Sequence, residues 1–184
     1  MRKLLELDIP IIFKVYGPGK MESGDVMYLD EKTLLVGNGY RTNEAAYEQI
    51  KAVLENWAVD RVVRVPLRPD IMHLDGVFNI ASKTVAAMYH EAVPADFINL
   101  VEKKGFDIIR VSKKERNTLA TNWLGLGPGK ILFIDGEETN IHTRRELEKR
   151  GIDVISFKMP ELIGGAGGPR CMTMPLSRQK GVKP

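Results

Sequence analysis

One pattern of elements is written three times along this chain, and that repetition limits its fold more than any property of its composition. In the first copy, residues 25–29 (DVMYL) and 33–36 (TLLV) are apolar, β-branched runs joined by Asp30-Glu31-Lys32, which predicts two strands and a tight turn. Asn43 then offers an N-cap to a helix whose apolar positions, Ala46, Ile50, Val53, Leu54 and Trp57, recur on one face. Residues 61–66 (RVVRVP) return as a strand. The second copy has a hairpin of 77–81 and 84–88 around Ser82-Lys83. A helix follows, opened by Pro94, carrying Phe97, Leu100 and Val101 and closed by Gly105, and then a strand over 106–111. The third has strands at 123–126 and 131–134, a helix over 140–150 resting mainly on Ile141 and Leu147, and a strand over 152–157. Two further strands are expected outside these copies, at 11–16 (IIFKVY) and 170–176.

Comparable points in successive copies fall at Asp25, Asp75, Asn122 and Cys171, separated by 50, 47 and 49 residues. A near-constant period with one supersecondary unit in each is the signature of a radial or solenoidal α/β architecture. The units span about 22–67, 73–112 and 121–158, and the first strand of another lies at 170–176. All belong to one domain over 1–176, with a solvated tail over 177–184 that carries Arg178, Lys180 and Lys183. In a radial arrangement the first strands lie near the axis, and the residues at their starts converge. These are Glu22 and Asp25, His73 and Asp75, Asn122, and Cys171.

Composition excludes several classes of function. A formal charge of +3 with no block of like charges does not suggest a nucleic-acid partner. No apolar run approaches membrane-spanning length. The basic start, Met1-Arg2-Lys3, meets Glu6 and Asp8 too soon for a signal peptide. A single cysteine cannot close an intrachain disulfide and suits a reducing cytoplasm. The histidines at 73, 90 and 142 have no HxxxH or CxxC spacing and give little support for a structural zinc site.

A lone cysteine is ordinarily a small buried hydrophobe. Cys171 stands out because it follows a glycine run (Gly164, Gly165, Gly167, Gly168) and begins the next repeat period. With His73 it forms a nucleophile and acid/base pair. Carboxylates around them would repel the oxyanion of a peptide or ester, but they match the fork of N–H donors on a guanidinium. A bound guanidinium would also favour the thiolate. Thiolate attack on its central carbon, with His73 protonating the departing amine and then deprotonating water, completes a hydrolysis. Taken singly, each residue has a plainer reading. His73 suits a strand end, Asp75-Gly76 a turn, Glu22 to Asp25 a solvated turn, and Arg41 a surface position before a helix cap.

The segments MESGDV (21–26), GYRTN (39–43), MHLDG (72–76), TNWLGL (121–126) and GGPRCMTMPLSR (167–178) together resemble the C-terminal part of arginine deiminases. Those enzymes belong to the pentein superfamily of guanidino-modifying proteins, α/β propellers of five ββαβ modules. The resemblance runs from about residue 10 to 178, and its RCMTMPLSR end is closer to arginine deiminases than to dimethylarginine hydrolases, agmatine deiminases or amidinotransferases. It implies an incomplete pentein-type propeller here, about three full modules plus flanking strands. The implied activity is conversion of L-arginine and water to citrulline and ammonia through an amidino-cysteine intermediate, without cofactor or metal. The implied roles are Cys171 as nucleophile, His73 as general acid/base, Glu22 as the acid beside the reacting group, Asp75 as guanidinium ligand, Arg41 as partner of the substrate carboxylate, and Asp25 as support for the site.

The sequence departs from the family at four points. Ser23 replaces the first glycine of an E-G-G-D motif, and Gly76 stands where the family has threonine. The family's upstream F-x-R-D aspartate and a second carboxylate-binding arginine have no counterpart in the 21 residues before Glu22. Another chain, or a preceding segment, is therefore expected to complete the ring. The alternatives are a hydrolase of agmatine or methylated arginine, and a non-catalytic pentein subunit or binding module.

Overall fold

The structure is a computed structural model that describes residues 2–135 and 139–176. The expected tail at 177–184 lies outside the described residues. After a short N-terminal helix, α1 (Arg2–Glu6), the chain builds three small sheets of three strands each. The first holds β1 (Val26–Asp30), β2 (Thr33–Asn38) and β3 (Arg61–Pro66), with α2 (Glu44–Leu54) crossing between the last two. The second holds β4 (Phe78–Ile80), β5 (Val85–Met88) and β6 (Asp107–Arg110), crossed by α3 (Ala95–Lys103). Another short helix, α4 (Lys113–Asn117), leads to the third sheet: β7 (Leu124–Gly127), β8 (Lys130–Ile134) and β9 (Asp153–Phe157), crossed by α5 (Ile141–Lys149). A final turn of helix, α6 (Pro160–Gly164), precedes the cysteine segment.

Each sheet pairs its first two strands antiparallel and its last two parallel. The reason is local. A two- or three-residue turn can close only an antiparallel hairpin, whereas a parallel neighbour needs a crossover the length of a helix. The middle strands are nearly continuous apolar runs because both of their faces are covered, and β2 buries Thr33 to Gly37 while β5 is buried throughout. Helix starts follow the expected chemistry. The Asn43 side chain accepts from the Ala46 N–H, and Pro94 stands at the entry of α3. One apolar core runs from Met27 and Leu35 through Phe78, Phe97 and Trp123 to Phe133 and Ile152. A smaller one joins Leu34, Val36, Tyr47, Ile50, Val59 and Val62, with Phe13 and Val15 against it. No helix among the described residues is long and apolar enough to cross a membrane.

Several expectations need correction. Residues 11–16 form no strand, although Phe13 and Val15 dock on the smaller core and Ile12 and Tyr16 are exposed. Residues 170–176 form no strand either, and Met172, Met174 and Leu176 are exposed. Both segments have strand composition, but no neighbouring strand among the described residues offers them a hydrogen-bonding ladder. Trp57 is not on the buried face of α2. The helix stops at Leu54, Asn56 turns to φ 65°, and the indole is left 63% exposed. The helices α1, α4 and α6 were not anticipated.

The starts of the first strands do converge. Residues from β1, β4 and β7 (Val26, Met27, Tyr28, Ile80, Leu124, Gly125) line a single cavity of about 570 Å³.

Candidate active site

Two 3-10 turns, Ser23–Asp25 and Leu74–Gly76, introduce the first strands of the first and second units. Glu22 and His73 stand just before these turns in extended backbone, which points both side chains to the same place. His73 Nε2 lies 2.6 Å from Glu22 Oε2, and Arg41 Nη1 donates to the other oxygen, Glu22 Oε1, at 3.0 Å. Burial works against the Glu22 carboxylate, but hydrogen bonds from His73 and Arg41 outweigh it and hold the carboxyl below its ordinary range. The histidine lies directly on the backbone of residue 24, where a Cβ would come within 2.7 Å of the ring. Only glycine fits there.

Asp25 and Asp75 are both buried, and they face different partners. Asp25 accepts from the Leu74 N–H at 2.8 Å and from Thr42 Oγ1 at 2.6 Å, so it ties the turn of the first unit to that of the second. Burial raises its pKa, partly offset by those two donors. Its oxygens are thus spent on the scaffold. Asp75 instead faces the cysteine, with its two oxygens 3.6 and 3.9 Å from Cys171 Sγ. A ring nitrogen of His73, a carboxylate oxygen of Asp75 and Cys171 Sγ all lie within 4.8 Å of one another. These three residues also line one cavity of about 300 Å³. The larger cavity of about 570 Å³ is lined by none of them.

The cysteine segment is held by side chains the sequence did not single out for chemistry. Arg170 Nη1 donates to Asp75 Oδ2 at 2.8 Å, and Nη2 donates to the Val26 carbonyl at 2.8 Å. Asn122, wholly buried, donates from Nδ2 to Cys171 Sγ at 2.9 Å. Burial and then the Asp75 charge push the Cys171 thiol above its ordinary range, against hydrogen bonds that favour the thiolate. Asn122 had been placed by its repeat phase alone, and Arg170 carried no signal beyond its adjacency to the cysteine.

Of the expected site residues, Glu22, His73, Asp75, Arg41 and Cys171 are brought to one place, while Asp25 lies beneath it. A histidine, an aspartate and a cysteine this close would also suit a metal ion. Here the Asp75 oxygen is occupied by a guanidinium and the sulfur by an amide donor, which fits thiol chemistry better. The neighbourhood can lower the cost of a planar cation beside a sulfur nucleophile, with a histidine in reach to move protons.

A family model described as N,N dimethylarginine dimethylhydrolase, eukaryotic, matches residues 13–178. The chain belongs to this family. Among curated relatives, an arginine deiminase from Listeria monocytogenes is 30% identical over 94% of this chain and 50% of its own length. The uncharacterized protein YkgA of Bacillus subtilis is 36% identical over 86% of this chain and 52% of its own. A solved structure of ArgZ, an arginine dihydrolase from cyanobacteria, superposes over 100% of this chain and 28% of its own with a TM-score of 0.81, at 20% identity. That likeness extends the family assignment to the fold: small α/β sheets of the pentein type. The chain spans about half the length of the curated relatives it matches. The family model is that of the dimethylarginine hydrolases, whereas this curated relative is an arginine deiminase.

Proposed function

We propose that this chain carries the nucleophile-bearing part of a guanidino-group hydrolase of arginine deiminase type, converting L-arginine and water to citrulline and ammonia. The observation that carries the reading is the meeting of Cys171, His73 and Asp75 within 4.8 Å. Asp75 binds the guanidinium, as its pairing with the Arg170 guanidinium at 2.8 Å illustrates. The incoming cation offsets the Asp75 charge that keeps the thiol protonated, so thiolate is generated when substrate is present. The sulfur adds to the guanidinium carbon, and His73 gives its proton to the nitrogen that leaves as ammonia. His73 then takes a proton from water as the water oxygen attacks the thiouronium carbon, and the C–S bond breaks to return the thiolate. Glu22 holds the imidazole in place, Arg41 is positioned beyond it for the substrate carboxylate, and Asp25 supports both turns.

We further propose that the sheets form three sectors of a five-unit ring, completed by another segment or chain and working in the cytoplasm. Burial supports this: β3 and β6 each bury apolar side chains, but β9 buries none, and Ile155 and Leu126 are 41% and 48% exposed. The family model favours a second substrate reading, a methylated arginine that would release a methylamine in place of ammonia.

Incubation with chloroacetamidine, a small cationic amidine that alkylates thiols, tests the site. A mass gain at Cys171 that arginine suppresses, absent in Cys171→Ala, is expected. Labelling that arginine, methylarginine and agmatine all leave unchanged would overturn the hydrolase reading in favour of a non-catalytic subunit. Assay of ammonia against mono- and dimethylamine release in the intact protein separates the two substrates.

A further inference from the structure

We infer that Asn122 is a catalytic residue of this site, a fixed amide that holds the nucleophile and hydrogen-bonds its thiolate. Its two ends do different work. Oδ1 accepts from the backbone N–H of Arg170 at 3.2 Å and of Cys171 at 3.1 Å. Nδ2 donates to Sγ at 2.9 Å. The acceptor end sets where the cysteine backbone lies, and the donor end meets the reacting atom itself. Because Oδ1 accepts the Cys171 N–H, a flipped amide would leave that N–H unpaired and set its own NH2 against both backbone donors, so the end facing sulfur is fixed as the donor.

The mount is rigid. Ala120 to Trp123 is buried almost completely, and Asn79 Nδ2 donates to the carbonyls of Thr121 and Trp123, at 2.7 and 3.0 Å, on either side of Asn122. Thr121 Oγ1 donates to the Asp75 carbonyl at 2.9 Å, so the segment carrying the amide is tied to the one carrying the guanidinium-binding carboxylate. The cysteine loop is shaped to the amide as well. A Cβ on Gly168 would come within 2.5 Å of Asn122 Oδ1, which makes glycine necessary at that point. Beside a carboxylate 3.6 Å from the sulfur, a neutral donor is the group that can favour thiolate without competing for the substrate cation.

This inference rests on Cys171 being the nucleophile, and its test needs no guanidine. The rate at which iodoacetamide adds to the Cys171 peptide is followed against pH in the intact protein. Asn122→Leu removes both functions at similar volume. Asn122→Ala removes them as well with a smaller, still neutral side chain, so neither variant adds a charge beside the sulfur. The expected result in both is a thiol titration midpoint raised by roughly one unit or more, with alkylation near neutral pH slowed about tenfold. A merely structural role would lower thermal stability and leave the midpoint where it was. A wild-type midpoint in either folded variant overturns the inference, and Asn122→Ala decides the question if Asn122→Leu fails to fold. Failure of amidine trapping at Cys171 with the midpoint shifted as expected would instead refute the hydrolase reading alone.

Discussion

Replacing Asp75 with asparagine should make Cys171 a better nucleophile toward neutral reagents and a worse one toward cations. At 3.6 Å from the sulfur, a full negative charge raises the cost of the thiolate by about 1.2 kcal/mol in water-like surroundings and about 4.6 kcal/mol at an effective dielectric of 20. The lower figure is the relevant one. Arg170 Nη1 sits 2.8 Å from the same carboxylate and offsets much of its field, and although the sulfur is partly buried the residue as a whole is exposed. The thiol midpoint should therefore fall by about one unit in Asp75→Asn. The sign follows from the cause: the carboxylate holds the thiol protonated, so removing it extends thiolate to lower pH. Iodoacetamide should then add to the variant several-fold faster near neutral pH. Chloroacetamidine should add more slowly relative to iodoacetamide, because the carboxylate that attracts the amidinium is gone. The two reagents measured side by side on the Cys171 peptide give the answer. A midpoint equal to or above wild type in a folded variant would refute the electrostatic account of this cysteine.

Two other substitutions probe the supports. Gly168→Ala places a methyl within 2.5 Å of Asn122 Oδ1 and 2.9 Å of its Cβ, and since that side chain is pinned at both ends, the loop must move. A loss of about 1–3 kcal/mol in thermal or denaturant unfolding is expected, together with slower trapping at Cys171. Glu22→Gln removes a carboxylate held below its ordinary value of 4.5 by His73 and Arg41. The wild-type contribution is present above that value and lost as pH falls through the lowered one, so the variant should show a shallower acid limb in thermal unfolding from pH 5 to 3. The difference is small because Glu22 is 43% exposed, and identical acid limbs would deny the pairing.

The three-fold writing of strand, strand, helix and strand was legible because each unit carries its own signals: a turn, an amphipathic helix and a glycine or proline boundary. What failed were the segments whose structure depends on a neighbour. Residues 11–16 and 170–176 have strand composition, but a strand exists only when another supplies the ladder. Trp57 fitted the helical period, yet Asn56 entering positive φ ended the turn before the indole could reach the core. At the site, Glu22, His73, Asp75 and Cys171 were found from type and phase. The reach of Arg170 across 144 positions to the Val26 carbonyl was not, because nothing local requires that contact.

Those long contacts explain how a cysteine outside any strand is nonetheless placed. Arg170 is held by the Val26 carbonyl of the first unit and by Asp75 of the second, while Asn122 of the third grips the backbone of Arg170 and Cys171. Within the segment itself, the hydrogen bonds are turns: Met172 N–H to the Gly168 carbonyl and Thr173 Oγ1 to the Pro169 carbonyl. Turns fix the local shape of a loop without fixing where it sits. The position of the sulfur relative to Asp75 and His73 is therefore set by contacts to each of the three units. Weakening any one of them should misplace the thiol at a smaller cost in stability than a core substitution carries, and reactivity at Cys171 should fall before the fold does.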